Sequence, residues 1–158
     1  MIFAQPETIG DPDDPQSLAV RLIADSSDTG GVASVEQVQL PAGAPGAPPH
    51  LHKLSSEIFY VLNGKLDMLI QDKIVRISAG ELAVVPEMTT HAFGAVKGVP
   101  AEVLITITPG VDRFEYFRVL ERIERGDVAP TSLSQRQAEF DTYFCYSPKW
   151  NEFRSRNE

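Results

Sequence analysis

From Glu57 to Thr108 the chain runs in short segments of alternating apolar and polar side chains, separated by glycine, asparagine, aspartate or proline. A period of two turns one face of each segment toward a core, and turn residues this frequent mark an all-β barrel or sandwich, not a helical bundle. The segments are 57–62, 65–71, 74–77, 82–85, 91–96 and 102–108. Two more precede them: 17–25 alternates around Val20, Leu22 and Ala24, and 31–40 through Val32, Ser34, Val38 and Leu40. About eight or nine strands result, enough to close two facing sheets. Asn63-Gly64 between the first two segments predicts a hairpin turn.

The chemistry sits inside this β region. The chain has three histidines, and all of them, His50, His52 and His91, lie in one window with Glu57 close behind the first pair. On a strand, residues two apart share a face and lie about 6.6 Å apart, so His50 and His52 can converge on one ion. The odd offset to Glu57 would turn the carboxylate to the other face, and Lys53-Leu54-Ser55-Ser56 predicts a turn or bulge that resets it. A single histidine is ordinarily a surface or core residue; a chain that confines all its histidines to one inward face is building a ligand set. Three neutral imidazoles and a carboxylate suit one divalent first-row metal per chain, and leave two positions open if the ion is octahedral. Ligand type alone does not separate iron, manganese, nickel, cobalt, copper and zinc.

His50-x-His52-x4-Glu57-x6-Gly64 and Gly80-x5-Pro86-x4-His91 resemble the two cupin motifs, with fifteen residues between them. From about Gly31 to Gly110 the chain is similar to single-domain cupins of the quercetin dioxygenase-like kind, and more loosely so through its tail. The resemblance implies a double-stranded β-helix, or jelly-roll barrel, with the metal on His50, His52, Glu57 and His91, and a homodimer. Three non-ligand positions depart from the pattern. The opening glycine of the first motif is displaced to Gly43 or Gly46, Met88 stands where a glycine usually follows the proline, and Ala95 replaces a late asparagine.

The flanks divide the chain into an N-terminal arm (1–15), a barrel (16–110) and a helical extension packed on it (111–158). Asp11-Pro12-Asp13-Asp14-Pro15 breaks regular structure. The run 41–49 holds four prolines and two glycines, which excludes a helix or central strand and predicts a stiff rim ending at His50. After Gly110 the period lengthens. Phe114, Phe117, Leu120 and Ile123 form one apolar helical face, Asp112 and Glu115 resemble a capping box, and Gly126 closes the helix. Ser132 and Gln135 open a second expected helix, running to about Phe144. Its Phe140, Tyr143 and Phe144 and the later Trp150 and Phe153 are expected to pack on the barrel, with a lid over the pocket or contact with another subunit as the alternatives.

A net charge of -8 argues against nucleic acid or an anionic membrane as partner. No apolar run approaches the ~20 residues of a membrane helix, and the start lacks a signal-peptide pattern, so a cytoplasmic protein is expected. The single cysteine, Cys145, reads as a half-buried thiol, not a nucleophile. Gly94 to Gly98 lacks the spacing of a phosphate-binding loop and reads as a turn.

If Glu57 and His91 face inward, so do Phe59, Val61 and Phe93, and across the expected hairpin Leu66, Met68 and Ile70, with Asp67 outside. These side chains predict an apolar, partly aromatic pocket for a small molecule. The first functional expectation is a metal-dependent dioxygenase of quercetinase-like type acting on a small, partly apolar molecule, with O2 as co-substrate and Glu57, by resemblance, as base. The alternatives are non-redox isomerase, cyclase, decarboxylase or lyase chemistry on the same ion, and a metal-stabilised binding protein without turnover.

Overall fold

The computed structural model describes residues 4–156. Its strands are β1 (Glu7–Ile9), β2 (Ala19–Ala24), β3 (Ser34–Leu40), β4 (His50–Leu51), β5 (Ser56–Ile70), β6 (Lys73–Ser78), β7 (Leu82–Val85), β8 (His91–Ala95), β9 (Ala101–Thr108) and β10 (Tyr143–Phe144). Four helices accompany them: α1 (Ser26–Thr29), α2 (Phe114–Glu124), α3 (Thr131–Ser134) and α4 (Pro148–Arg156). One antiparallel sheet runs β1-β2-β3-β9-β5-β7 and the other β10-β4-β8-β5-β6. Side chains alternate as the sequence requires. On β3 the residues Ser34, Glu36, Val38 and Leu40 are buried while their neighbours are half-exposed. The inner faces of both sheets meet in one core, with Leu22, Leu40, Phe59 and Val103 from the first and Leu66 and Met68 from the second.

β5 belongs to both sheets. Its first half pairs with β9 and β7, its second half with β6 and β8. The hairpin expected at Asn63-Gly64 is therefore absent: the strand crosses this point without reversing, through a register shift between Val61 and Asn63. Gly64 takes a left-handed φ of 73° and packs against Pro100 so closely that a Cβ would lie 1.8 Å from its carbonyl oxygen. Asn-Gly supplies the same backbone freedom to a bulge as to a tight turn. The bulge also switches the inward parity from Glu57, Phe59 and Val61 to Leu66 and Met68. Asp67, expected outside, is buried and held by Arg76 at 2.7 Å.

Residues 7–9, expected within a free arm, pair with β2 as an edge strand, and Glu7 is bonded to Arg118 of α2. Residues 1–3 of that arm lie outside the described residues. α2 forms as the periodicity requires, but its capping box does not: Arg113 is the N-cap residue and its own side chain makes no capping bond, and the Asp25 carboxylate accepts the N–H groups of Arg113 and Phe114 instead. The second expected helix is only the single turn α3. Asp141 adopts a left-handed φ of 47° and the chain then turns into β10 beside β4, a course set by tertiary bonds to Asp141 that local periodicity does not encode. α4 opens on Pro148, a favourable first helical residue, and buries Trp150 against Leu69 and Ala92. Among the described residues no helix is long and apolar enough to cross a membrane.

Candidate functional site

The four ligand candidates come from three strands. His50 on β4 stands directly opposite His91 on β8, His52 follows just beyond β4, and Glu57 enters on β5. All four are buried, and their donor atoms lie within 4.8 Å of one another. Glu57 Oε2 is 2.6 Å from His91 Nε2, 3.0 Å from His52 Nε2 and 3.8 Å from His50 Nε2. The bend at Lys53-Leu54 performs the reset expected between His52 and Glu57.

The remaining ring nitrogens fix the tautomers. His50 Nδ1 donates to the Pro48 carbonyl at 2.7 Å, His52 Nδ1 to that of Asp141 at 2.5 Å, and His91 Nδ1 to that of Thr89 at 2.9 Å. A carbonyl oxygen only accepts, so each Nδ1 carries a proton, and each ring, when neutral, aims an Nε2 lone pair inward. Three inward lone pairs and a carboxylate crowded together are a donor set for a cation, with the carbonyl partners that orient metal-bound imidazoles. Burial, the largest influence on His50, pushes its pKa down to about 4, so it is a neutral donor at pH 7. Burial alone would raise Glu57, but hydrogen bonds donated to it from the imidazole Nε2 side hold it well below the usual carboxylate range; each such bond needs a proton on Nε2, which a bound ion would displace. The residues thus fit a divalent metal, whose identity they leave open.

Asp141 is the supporting residue that sequence reasoning missed. Beyond receiving His52 through its carbonyl, its carboxylate accepts the backbone N–H groups of Lys53 and Leu54, both at 2.9 Å. It thereby fixes the turn between two ligands from 84 positions beyond Glu57 (141 minus 57), and no local pattern announces it.

A cavity of about 800 Å³ opens onto His50 and Glu57. Of the expected pocket residues, Phe93 lines it. Phe59, Val61, Leu66 and Met68 are instead fully buried in the core, with Ile70 packed against them. The apolar wall comes from the opposite sheet and α2: Val20, Val38, Leu40, Ile105, Phe117 and Leu120. The proline-rich run forms its rim, through Pro41, Pro45 and Pro48 among others. Glu36, Arg113 and Tyr116 are the buried polar side chains that complete the lining, while Gln16, Ser17, Glu121, Glu124 and Arg125 stand at its more exposed positions. One sign of Glu36 was visible in the sequence, since a carboxylate occupies an inward β3 position between Ser34 and Val38.

Residues 36–107 match the cupin domain family. Solved structures share the fold at low identity. KdgF from Halomonas sp. superposes with a TM-score of 0.52 at 23% identity, covering 64% of this chain and 86% of that one. A protein from Thermotoga maritima described as a predicted oxalate decarboxylase gives 0.55 at 22%, covering 68% and 92%. A Streptomyces Pac13 variant with uridine gives 0.52 at 18%, covering 72% and 87%; Pac13 is described as a nucleoside dehydratase. No curated protein matches the sequence at a significant level. The chain thus has the cupin fold, with a match to the cupin domain over residues 36–107 and a buried His-His-Glu-His cluster that could hold a metal ion.

Proposed function

We propose that this cupin is a metal-dependent enzyme acting on a small, partly apolar organic molecule, with His50, His52, Glu57 and His91 as ligands. The observation that carries the reading is that the large apolar-walled cavity meets the donor set directly, at His50 and Glu57. Such a chamber holds a molecule of modest size, excludes water and presents it to one end of the ligand cluster. The chemistry that a bound divalent ion supplies at such a site is polarisation of a substrate hydroxyl or enol, with a lowered pKa. Glu57, ionised in this setting, is the base that receives the released proton. Dioxygenation of quercetinase-like type, with O2 as co-substrate, is the reaction to test first.

Non-redox chemistry, an isomerisation, lyase or decarboxylase reaction, is the second reading. It is favoured by Glu36, whose pKa burial lifts to about 8, giving the cavity a proton donor to complement Glu57 as base. The test is elemental analysis of untagged protein beside His52→Ala, followed by oxygen uptake with a flavonol or a 1,3-dicarbonyl. Near-stoichiometric metal that is lost in the variant, with oxygen consumed, supports the dioxygenase. Anaerobic turnover moves the assignment to the second reading, and absence of metal after reconstitution overturns both.

A homodimer is part of the proposal. The outer face of β5 and the edge strand β7 exposes Tyr60, Leu62, Leu82 and Val84 together, a surface suited to cover by a second copy.

A further inference from the structure

Among the described residues Arg113 is a buried cation without an ion pair. It is 5% exposed, and its guanidinium spends Nη1 on the Phe140 carbonyl and the Thr142 hydroxyl. Among the described residues Nε meets no acceptor, and no hydrogen bond from Nη2 accompanies those of Nη1. The edge left free is the Nε–Nη2 side, which matches a carboxylate with two parallel hydrogen bonds. The ring of Tyr116 lies under the guanidinium, 4.4 Å from Cζ, and keeps the plane from turning.

Glu36 faces the same cavity. Its carboxyl makes no hydrogen bond that lowers its pKa; Arg113 acts on it through space only, and Glu57 and Asp25 oppose ionisation. Asp25 is engaged elsewhere, accepting the backbone N–H groups of Ser26, Arg113 and Phe114. Glu36 and Arg113 are therefore not a closed salt bridge. Both, with Glu57, act on Tyr116, which puts them around one end of the chamber. A buried guanidinium is costly without an anion, and a neutral carboxyl beside it can donate where a carboxylate could only repel.

We propose that Arg113 and Glu36 form an anchoring subsite for the carboxylate of an organic-acid substrate, whose apolar body lies along Val38, Leu40 and Ile105 toward the metal ligands. Arg113 supplies the two-pronged, charge-assisted contact. Glu36, which burial keeps protonated up to about pH 8, donates its O–H to the same group. The substrate class becomes a small carboxylic acid with an apolar chain or ring. This deepens the enzymatic reading above and rests on the cavity being its substrate chamber.

The test is calorimetric titration of the full chain, metal-loaded and chelator-stripped, with hexanoate and with its neutral isostere hexanamide. Hexanoate is expected to bind both forms, about tenfold or more tighter than the amide, the scale of one lost charge-assisted contact. Arg113→Gln should abolish that preference. Glu36→Gln, which keeps a donor, should retain hexanoate binding, whereas Glu36→Leu should weaken it; this pair decides the matter if the arginine variant does not fold. Equal affinity for acid and amide overturns the subsite, as does no hexanoate binding. So does binding that vanishes with the metal and ignores both Glu36 variants, since the carboxylate would then sit on the ion. Metal content and turnover are measured separately, so loss of the subsite leaves the enzymatic reading standing, and hexanoate bound by a chain that takes no metal does the reverse.

Discussion

Asp141 and Met88 hold the ligand turn from two sides. Asp141 receives two N–H groups of that turn as well as the His52 ring, and Met88 N–H donates to the His52 carbonyl at 2.7 Å. Asp141→Ala leaves two backbone donors without acceptors, so a loss of about 1–3 kcal/mol is expected. Metal affinity should fall about tenfold or more, as when a supporting partner is removed. Chelator competition beside a thermal melt checks both, and an unchanged affinity would show that the turn holds itself. Met88 has a φ of 61° and is 61% exposed, so it bears left-handed strain with little packing in return. Met88→Gly should gain up to about 1 kcal/mol in denaturant unfolding; a loss would mean that the methionine side chain is held by something its exposure hides. The histidines could be found from spacing because their type is rare in this chain, and Glu57 from its place just behind the first pair. Glu36 could not be told from a surface carboxylate by residue type, and only its place in the β3 alternation marks it. Arg113, Tyr116 and Asp141 reach the site through the docking of α2 and of the C-terminal segment, which is tertiary information.

At the level of elements, β6, β7, β8 and β9 were readable within a residue and β3 within three; β3 and β9 bury one face and half-expose the other, whereas β8 is buried throughout. The failures share a cause. Asn63-Gly64 signals a backbone conformation, and whether that conformation reverses a strand or bends it depends on what pairs with the next segment. Here β9 and β7 flank β5 before the bulge, and β8 and β6 after it. Gly64→Ala should therefore be severe, since a Cβ would overlap the Pro100 carbonyl at an unfavourable φ. A loss of about 3 kcal/mol or more is expected, from strain and overpacking combined, and a melt within a degree of wild type would refute the account of the bulge. β3 carries a pH prediction. Glu36 ionises at about 8 when folded against 4.5 ordinarily, in the field of Arg113, Glu57 and Asp25. The folded chain keeps a proton that the unfolded chain releases between those values. Its contribution to stability is thus full below about pH 4.5, falls by about 1.4 kcal/mol per pH unit through the window, and levels off above 8. Glu36→Gln removes this slope. The variant's melting midpoint should climb relative to wild type from pH 5 to 8.5, and a constant difference would contradict it.

For the whole molecule, the paired sheets leave β7 as a free edge next to an apolar outer face. If a second copy covers it, Leu82→Glu should give a monomer by sedimentation with the barrel intact by circular dichroism. A monomeric wild type would remove the homodimer from the proposal. The two-sheet plan followed from the number and spacing of alternating segments, whereas the chamber did not. Its walls come from α2, the rim and the sheet facing the histidines, so strand parity named the core beneath the site in place of the lining. The single run of β5 through both sheets has a mechanical sequel. It holds Glu57 at one end and the Leu66 to Ile70 ladder at the other, with no loop between to absorb movement. A pull on the carboxylate is handed along a continuous ribbon to the far sheet, so filling the donor cluster should slow amide exchange at Met68 and Leu69 as well as around the histidines. The barrel behaves less like two plates with a ligand between them than like one folded spring, tensioned at a single end.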